Sequence, residues 1–335
     1  MFAPLKELLR TERERTIPVH LSRWNYIGAL ALIFLLVQTA TGILLMVYYR
    51  PSAAAAYFST GIIADEVRLG WLMRSVHHWG SDLVILLGFL HLVGVYFARA
   101  YQPPRHLNWM IGLVLLMLIL TLGFTGILLP WDQYAYWYID SARGTISAIP
   151  VLGNLVLGLI WGGWELGEEV LLRFYTFHVG VLPWLAFSVL FLHLLLVWRF
   201  GIKEPAGNAG VARPAATRFF PDFVANLFMV VLIVGGLLLS VAVIFPPVLL
   251  ERADPLVPLS YAPPRWYLLP VRESLRGLPG VVAALAVVAF TLLLFLVPVL
   301  DRQPAPSTRN RIVQRALGIL VIAAWILLGA RGCLR

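Results

Sequence analysis

The sequence predicts an all-α, integral membrane helical bundle of about seven transmembrane helices, with a four-helix core around two pairs of histidines. Three observations predict it: an apolar composition, seven apolar blocks of membrane-spanning length, and histidines at matched depth in two of those blocks. The chain has 335 residues, 60% of them hydrophobic and 13% charged. Apolar usage in globular domains is nearer half, so a soluble fold of this length would leave much of that surface in water. Cys333 is the only cysteine. That excludes a disulfide framework, an iron–sulfur cluster and c-type haem attachment, each of which needs more thiols.

Crossing about 30 Å of hydrocarbon takes roughly 20 helical residues. Seven stretches qualify, at 25–49, 76–98, 109–129, 178–200, 223–246, 280–300 and 312–330. The net charge of +9 would suggest nucleic acid in a soluble protein; here the basic residues sit between apolar blocks, so no nucleic-acid partner is expected. With the N-terminus cytoplasmic, the inner connections hold fifteen of the 26 basic residues and the outer ones hold most of the acids. The bias favours an N-inside, multi-pass protein of a prokaryotic cytoplasmic membrane. Residues 1–15 are charged, with no cleavable leader visible, and read as a short surface helix. The connections 130–177 and 245–279 are long and rich in aromatic residues or proline, the kind of segment that carries function or docks a partner. The stretch 201–214 is the expected internal boundary, dividing a part at 1–205 from a three-helix part at 206–335.

Five of the seven histidines lie within spans, and four of them form two spaced pairs. His77 and His91 are fourteen residues apart on the second span, and His178 and His193 fifteen apart on the fourth. At 100° per residue these separations return to within about 40° and 60° of the starting direction, so each pair faces one side of its helix. The two levels are about 21 Å apart at 1.5 Å rise per residue. His78 is about 140° off the face of His91, which favours His77. The two spans run in the same direction, so His77 and His178 share the outer level and His91 and His193 the inner. Each level offers two opposed imidazoles, the ligand set of a six-coordinate, non-covalent b-type haem that carries electrons. Gly28 and Gly42 on the first span, and Gly112 and Gly126 on the third, repeat the fourteen-residue step. They read as walls that let two flat macrocycles approach the backbone. Anionic propionates need cations: Arg74 and Arg173 stand at the outer edge, Arg99 and Arg105 at the inner.

These residues resemble cytochrome b of the Rieske/cytochrome bc family. Val37-Gln38-Thr39-Ala40-Thr41-Gly42 is similar to that family's first-helix signature. Arg74-Ser75-Val76-His77 followed by His91 resembles its second helix, and Gly126-Ile127-Leu128-Leu129-Pro130-Trp131-Asp132-Gln133 resembles the end of its third. Arg173-Phe174-Tyr175 followed by His178 and His193 resembles the fourth. The fifteen-residue step and Tyr48-Tyr49-Arg50-Pro51 resemble the chloroplast-type branch, here with the haem part and the three-helix part fused. The resemblance implies a di-haem electron-transfer subunit of a respiratory quinol–cytochrome c type oxidoreductase. Its implied partners are quinone, a Rieske iron–sulfur protein and a c-type cytochrome or another redox subunit, in a multi-subunit complex for which a dimer is one option.

Several positions depart from the family pattern. Tyr26 stands where the chloroplast-type branch carries the cysteine that tethers an extra haem. Pro264-Arg265-Trp266-Tyr267 stands where the family has Pro-Glu-Trp-Tyr at the outer quinol pocket, and Tyr138 follows Trp137 where the family has a small residue. Arginine does not deprotonate and cannot take a quinol proton; Asp140 is the candidate substitute. At the inner quinone pocket Asn226-Leu227 replaces a Lys-Asp pair, leaving His20, Arg23 and Asp222 as candidates. Two functions follow: an ordinary quinol-oxidising subunit, or a haem wire of another respiratory complex without normal quinol bifurcation. A haem-free transporter would have no use for the histidine geometry.

Overall fold

The structure is a computed structural model that describes residues 16–147, 149, 152–162, 165–201, 216–259, 262–302 and 307–334. Its elements in chain order are the strand β1 (Thr16–Pro18), α1 (Val19–Met46), α2 (Ala56–Asp65), α3 (Gly70–Phe97), α4 (His106–Ile127), α5 (Gln133–Ser147), α6 (Leu152–Val156, continued by a π-turn Leu157–Trp161), α7 (Glu168–Phe200), the strand β2 (Ala216–Arg218), α8 (Phe219–Ile244), α9 (Leu269–Leu275), α10 (Gly280–Leu300) and α11 (Thr308–Cys333). Seven of these, α1, α3, α4, α7, α8, α10 and α11, are long and apolar enough to cross a membrane. The others, α2, α5, α6 and α9, gather at one end, called the upper end below.

The core is two helix pairs, α1 with α3 and α4 with α7. Leu30, Phe34 and Leu35 of α1 close on Val76, Val84 and Leu87 of α3, and Leu190 of α7 with Leu238 and Ala242 of α8 complete that cluster. The upper end has a second buried cluster of large aromatics, Trp131, Tyr136, Tyr138, Trp161 and Phe174. At the lower end Tyr101, Trp109 and Leu113 pack against Leu294 and Phe295 of α10. The remaining faces of α8, α10 and α11 are exposed and aliphatic, as a surface in contact with lipid tails requires. Hydroxyls within spans bond back to carbonyls one turn earlier, Thr39 to Leu35 (3.0 Å), Thr125 to Thr121 (2.9 Å) and Ser240 to Gly236 (2.9 Å). Hydrocarbon offers those groups no water.

Helices extend past the apolar blocks that announced them. α3 starts at Gly70 rather than 76, and the fourth span starts at Glu168 rather than 178. Charged residues such as Arg74 and Arg173 end a hydropathy block without ending a helix, because a long cationic side chain reaches out of the apolar layer. The connection 130–177 is mostly helical. The strands β1 and β2 pair antiparallel, Thr16 opposite Arg218 and Pro18 opposite Ala216, and join the starts of α1 and α8. Residues 1–15 and most of the expected boundary at 201–214 lie outside the described residues.

Candidate functional site

The α3 and α7 histidines meet across the gap between the two helix pairs. His77 and His178 stand with ring centroids 6.2 Å apart at the upper level, and His91 and His193 6.4 Å apart at the lower. The ring planes cross at 80° and 78°. Two imidazoles on opposite sides of one metal ion stand roughly 6 Å apart, from about 2 Å per metal–nitrogen bond and about 1 Å from nitrogen to ring centre. Both pairs fit that span. His78 is turned elsewhere, with Nε2 3.5 Å from the Arg265 guanidinium.

The ring nitrogens of the upper pair are assigned by their partners. The Thr41 hydroxyl donates to Val37 O (2.8 Å), so it accepts from Nδ1 of His77 at 3.0 Å. Nδ1 of His178 donates to Leu122 O at 3.0 Å, with the Thr125 hydroxyl at 3.2 Å. The proton therefore sits on Nδ1, and Nε2 of each ring keeps the lone pair a metal needs. At the lower level the backbone of Asn108 lies near Nδ1 of His193 without reaching full hydrogen-bond geometry.

Each of the four glycines faces one of these rings. A Cβ at Gly126 would lie 2.7 Å from Cε1 of His178, and one at Gly28 2.9 Å from Cε1 of His91. At Gly42 and Gly112 the distances to His77 and His193 are 3.2 and 3.3 Å. These glycines leave room for the imidazoles to lie against the backbone of α1 and α4.

The unequal steps, fourteen and fifteen, are reconciled by a feature the sequence hid. His178 lies within a π-turn, Thr176–Val181. Such a turn absorbs one extra residue. Fifteen residues of α7 therefore cover the rotation and rise of about fourteen α-helical ones, matching α3. Pro183 follows within α7, and its missing N–H is one donor fewer for the helix to satisfy there.

The arginines have varied partners. Arg74 donates to Pro247 O (2.7 Å), and Arg173 to Leu159 O (3.0 Å) and Gly158 O (3.3 Å). Arg99 is paired with Asp301 (Nε to Oδ2 2.9 Å), which also accepts from the Tyr101 hydroxyl at 2.6 Å. Arg105 donates to Phe200 O and Gly201 O, both at 3.0 Å, and so caps the C-terminus of α7, where a cation is favoured. Of the four, Arg99 and Arg105 thus have structural duties at the lower end.

At the upper end, Arg265 is ion-paired with Asp82 of α3, both side chains mostly buried. Trp266 Nε1 donates to the other Asp82 oxygen at 3.1 Å. Burial works against the Arg265 charge, but Asp82 overrides it and holds the guanidinium above its ordinary value. Tyr138 and Tyr267 are both buried beside it. Burial, reinforced by Tyr267, raises the Tyr138 phenol, and burial pushes Tyr267 up to about 12; both are neutral hydroxyls at physiological pH. Asp140 is instead paired with Arg143 at 2.7 Å, three residues on along α5. Sequence reading missed Asp82, whose only signal was an acid placed inside an apolar span. Nearby, Asp132 accepts the N–H groups of Ala135 (2.9 Å) and Leu250 (3.2 Å), tying the start of α5 to the connection after α8. Burial still raises its pKa.

At the lower end Asp222 is exposed in the first turn of α8. The side chains of His20 and Arg23 lie outside the described residues. Tyr26 stacks on Phe223 with centroids 4.6 Å apart and planes at 13°.

A helical membrane bundle with two opposed imidazole pairs and a glycine behind each ring has the architecture of a di-haem electron carrier. The family model described as cytochrome b/b6/petB matches residues 13–201, and that described as cytochrome b(C-terminal)/b6/petD matches residues 252–335. The chain belongs to the cytochrome b family, whose members hold two b-type haems. It is 36% identical over 330 residues to a cytochrome bc complex cytochrome b subunit from Chlorobaculum thiosulfatiphilum, covering 96% of this chain and 76% of that one. It is 40% identical to a cytochrome b6 from Synechococcus sp. (strain JA-3-3Ab) over 189 residues, 56% of this chain and 88% of the relative. A solved structure described as a hyperthermophilic respiratory Complex III superposes with a TM-score of 0.88 at 27% identity, over 99% of this chain and 89% of that one.

Proposed function

We propose that this chain is the cytochrome b subunit of a respiratory bc-type complex, carrying electrons across the membrane in a reaction coupled to quinol and quinone. The carrying observation is the pair of imidazole separations, 6.2 and 6.4 Å, repeated at two depths. His77 and His178 would hold one b-type haem and His91 and His193 the other. When bound, each haem supplies a one-electron redox centre without an open coordination position.

The protein's own groups do the rest. Thr41, Thr125 and the Leu122 carbonyl hold the upper imidazoles in the Nδ1–H tautomer and strengthen them as ligands. The four glycines keep the rings against the backbone. Arg74 and Arg173, whose hydrogen bonds go to neutral carbonyls, are the candidate propionate partners, with Arg99 and Arg105 at the lower edge. Trp266, Tyr267 and Arg265 line the candidate upper quinone pocket, with Asp140 on the neighbouring α5. His20, Arg23 and Asp222 remain the candidates at the lower one.

In this reading the upper end faces outward and the N-terminus is cytoplasmic, in the inner membrane of a prokaryote. The aromatic cap at the upper end would meet a Rieske protein, with a c-type cytochrome beyond it. The chain divides functionally into a di-haem part at 1–205 and a C-terminal part at 206–335. A second reading, a haem wire without quinol bifurcation, is favoured by one observation, the cation Arg265 in the upper pocket. Hydroquinone oxidation by the purified complex decides between them. Activity abolished by an inhibitor of the upper pocket supports the first reading; two reducible haems without that activity support the second.

A further inference from the structure

The ion pair of Asp82 and Arg265 is costly where it stands. Asp82 lies well inside a membrane-spanning helix, five residues beyond His77, and its side chain is 14% exposed. Acids at such depth are expensive and tend to be functional. Arg265 reaches it from a segment 183 residues away in sequence, and Trp266 of the same segment donates to the second carboxylate oxygen. Around the pair lie flat apolar rings and neutral hydroxyls. Trp266 is partly exposed and borders Phe89 at 6.5 Å. The Tyr267 hydroxyl lies over Gly123, where a Cβ would come within 3.1 Å of it. A carboxylate beside aromatic walls and phenols, partly open to the apolar surface, suits a ring that carries an acidic hydroxyl.

We propose that Asp82 is the carboxylate that takes a proton from a quinol at the upper end, and that Arg265 holds Asp82 and balances the resulting quinol anion. The inference rests on the reading that quinol is oxidised at this end. In the step, the quinol O–H bond breaks, its electron pair stays on the quinol oxygen, and the proton bonds to an Asp82 oxygen. One negative charge faces Arg265 before the transfer and one faces it after. A pocket with Arg265 and no acid would have no acceptor. The charged and titratable groups around the Asp82–Arg265 pair are His78 on α3, Tyr134 and Tyr138 from α5, and Tyr267.

The test compares Asp82→Asn and Asp82→Glu with the wild type in the purified complex, using a short-tailed hydroquinone. Haem content verifies assembly. Asp82→Asn should lower kcat by about 100-fold with little change in KM, and remove the acid limb of the pH profile. Asp82→Glu should restore most of both. An infrared difference spectrum on adding hydroquinone should show a protonated-carboxyl band that Asp82→Asn abolishes. Unchanged kcat and pH profile in Asp82→Asn would overturn the proposal. So would a raised KM with kcat intact, which marks a mere clamp. If Asp82→Asn fails to assemble, the infrared band in wild type and Asp82→Glu decides: a band common to both and shifted between them supports the assignment, and none overturns it. A wild-type complex that oxidises no hydroquinone overturns the underlying reading as well, whereas wild-type turnover that Asp82→Asn leaves unchanged overturns this inference alone.

Discussion

At the upper level both imidazoles are held through Nδ1, His77 by Thr41 and His178 by Leu122 and Thr125; at the lower level, among the described residues, His193 lacks a full hydrogen bond there. Spacing, crossing angle and glycine backing are otherwise repeated. The surroundings differ in the same direction. The upper level lies under a cap of buried aromatics and the Asp82–Arg265 pair, while the lower end is closed by the Arg99–Asp301 pair and by Arg105 on the end of α7. One construction, used twice, is thus tuned by its partners: a strongly hydrogen-bonded imidazole is a more electron-rich ligand and favours the oxidised metal. The upper site is therefore expected to have the lower reduction potential.

Removing a ligand has the largest expected effect. His77→Ala should abolish the upper haem and leave the lower one, seen as loss of the lower-potential wave in a redox titration of the complex. Loss of both waves together would mean the levels are not independent. Next come the glycines, where each level has one tight and one looser contact. Gly126→Ala and Gly28→Ala push a methyl into an imidazole and should each cost about 1–3 kcal/mol. That cost would appear as early release of the upper and lower haem respectively on heating, followed in the Soret band. Gly42→Ala and Gly112→Ala need the ring to give only a few tenths of an ångström and should lose less haem at the same temperature. The smallest effect is expected at the threonine hydroxyls. Thr41→Val removes the acceptor of the His77 Nδ1–H and should raise the upper potential by roughly 30 mV, about half the one-electron value for a tenfold change. Thr125→Val should shift it less, because Leu122 O still accepts from His178.

Much of this was legible from the sequence because it is periodic. The spans, the histidine faces and the fourteen-residue glycine step follow from 3.6 residues per turn, and the His77 and His78 rings diverge as their angular offset requires. Aperiodic features were not legible. The π-turn around His178 leaves no mark except a fifteen where fourteen was expected. Arg99 reads as a candidate propionate cation, and its pairing with Asp301, 202 residues later, has no local signal. Arg265 looked like a lost acid; Asp82, 183 residues before it, supplies the opposite charge. Pairings of that separation depend on tertiary closure, and a single sequence does not encode them in any local pattern.

The most direct test of two haems between the histidine pairs is the haem content of the purified protein and of His91→Ala, measured by pyridine haemochrome with a dithionite-minus-oxidised spectrum. Two low-spin b haems per chain are expected in the wild type and one in His91→Ala, the survivor being the lower-potential haem held by His77 and His178. A haem-free wild type, or a variant that keeps both haems, would contradict this expectation.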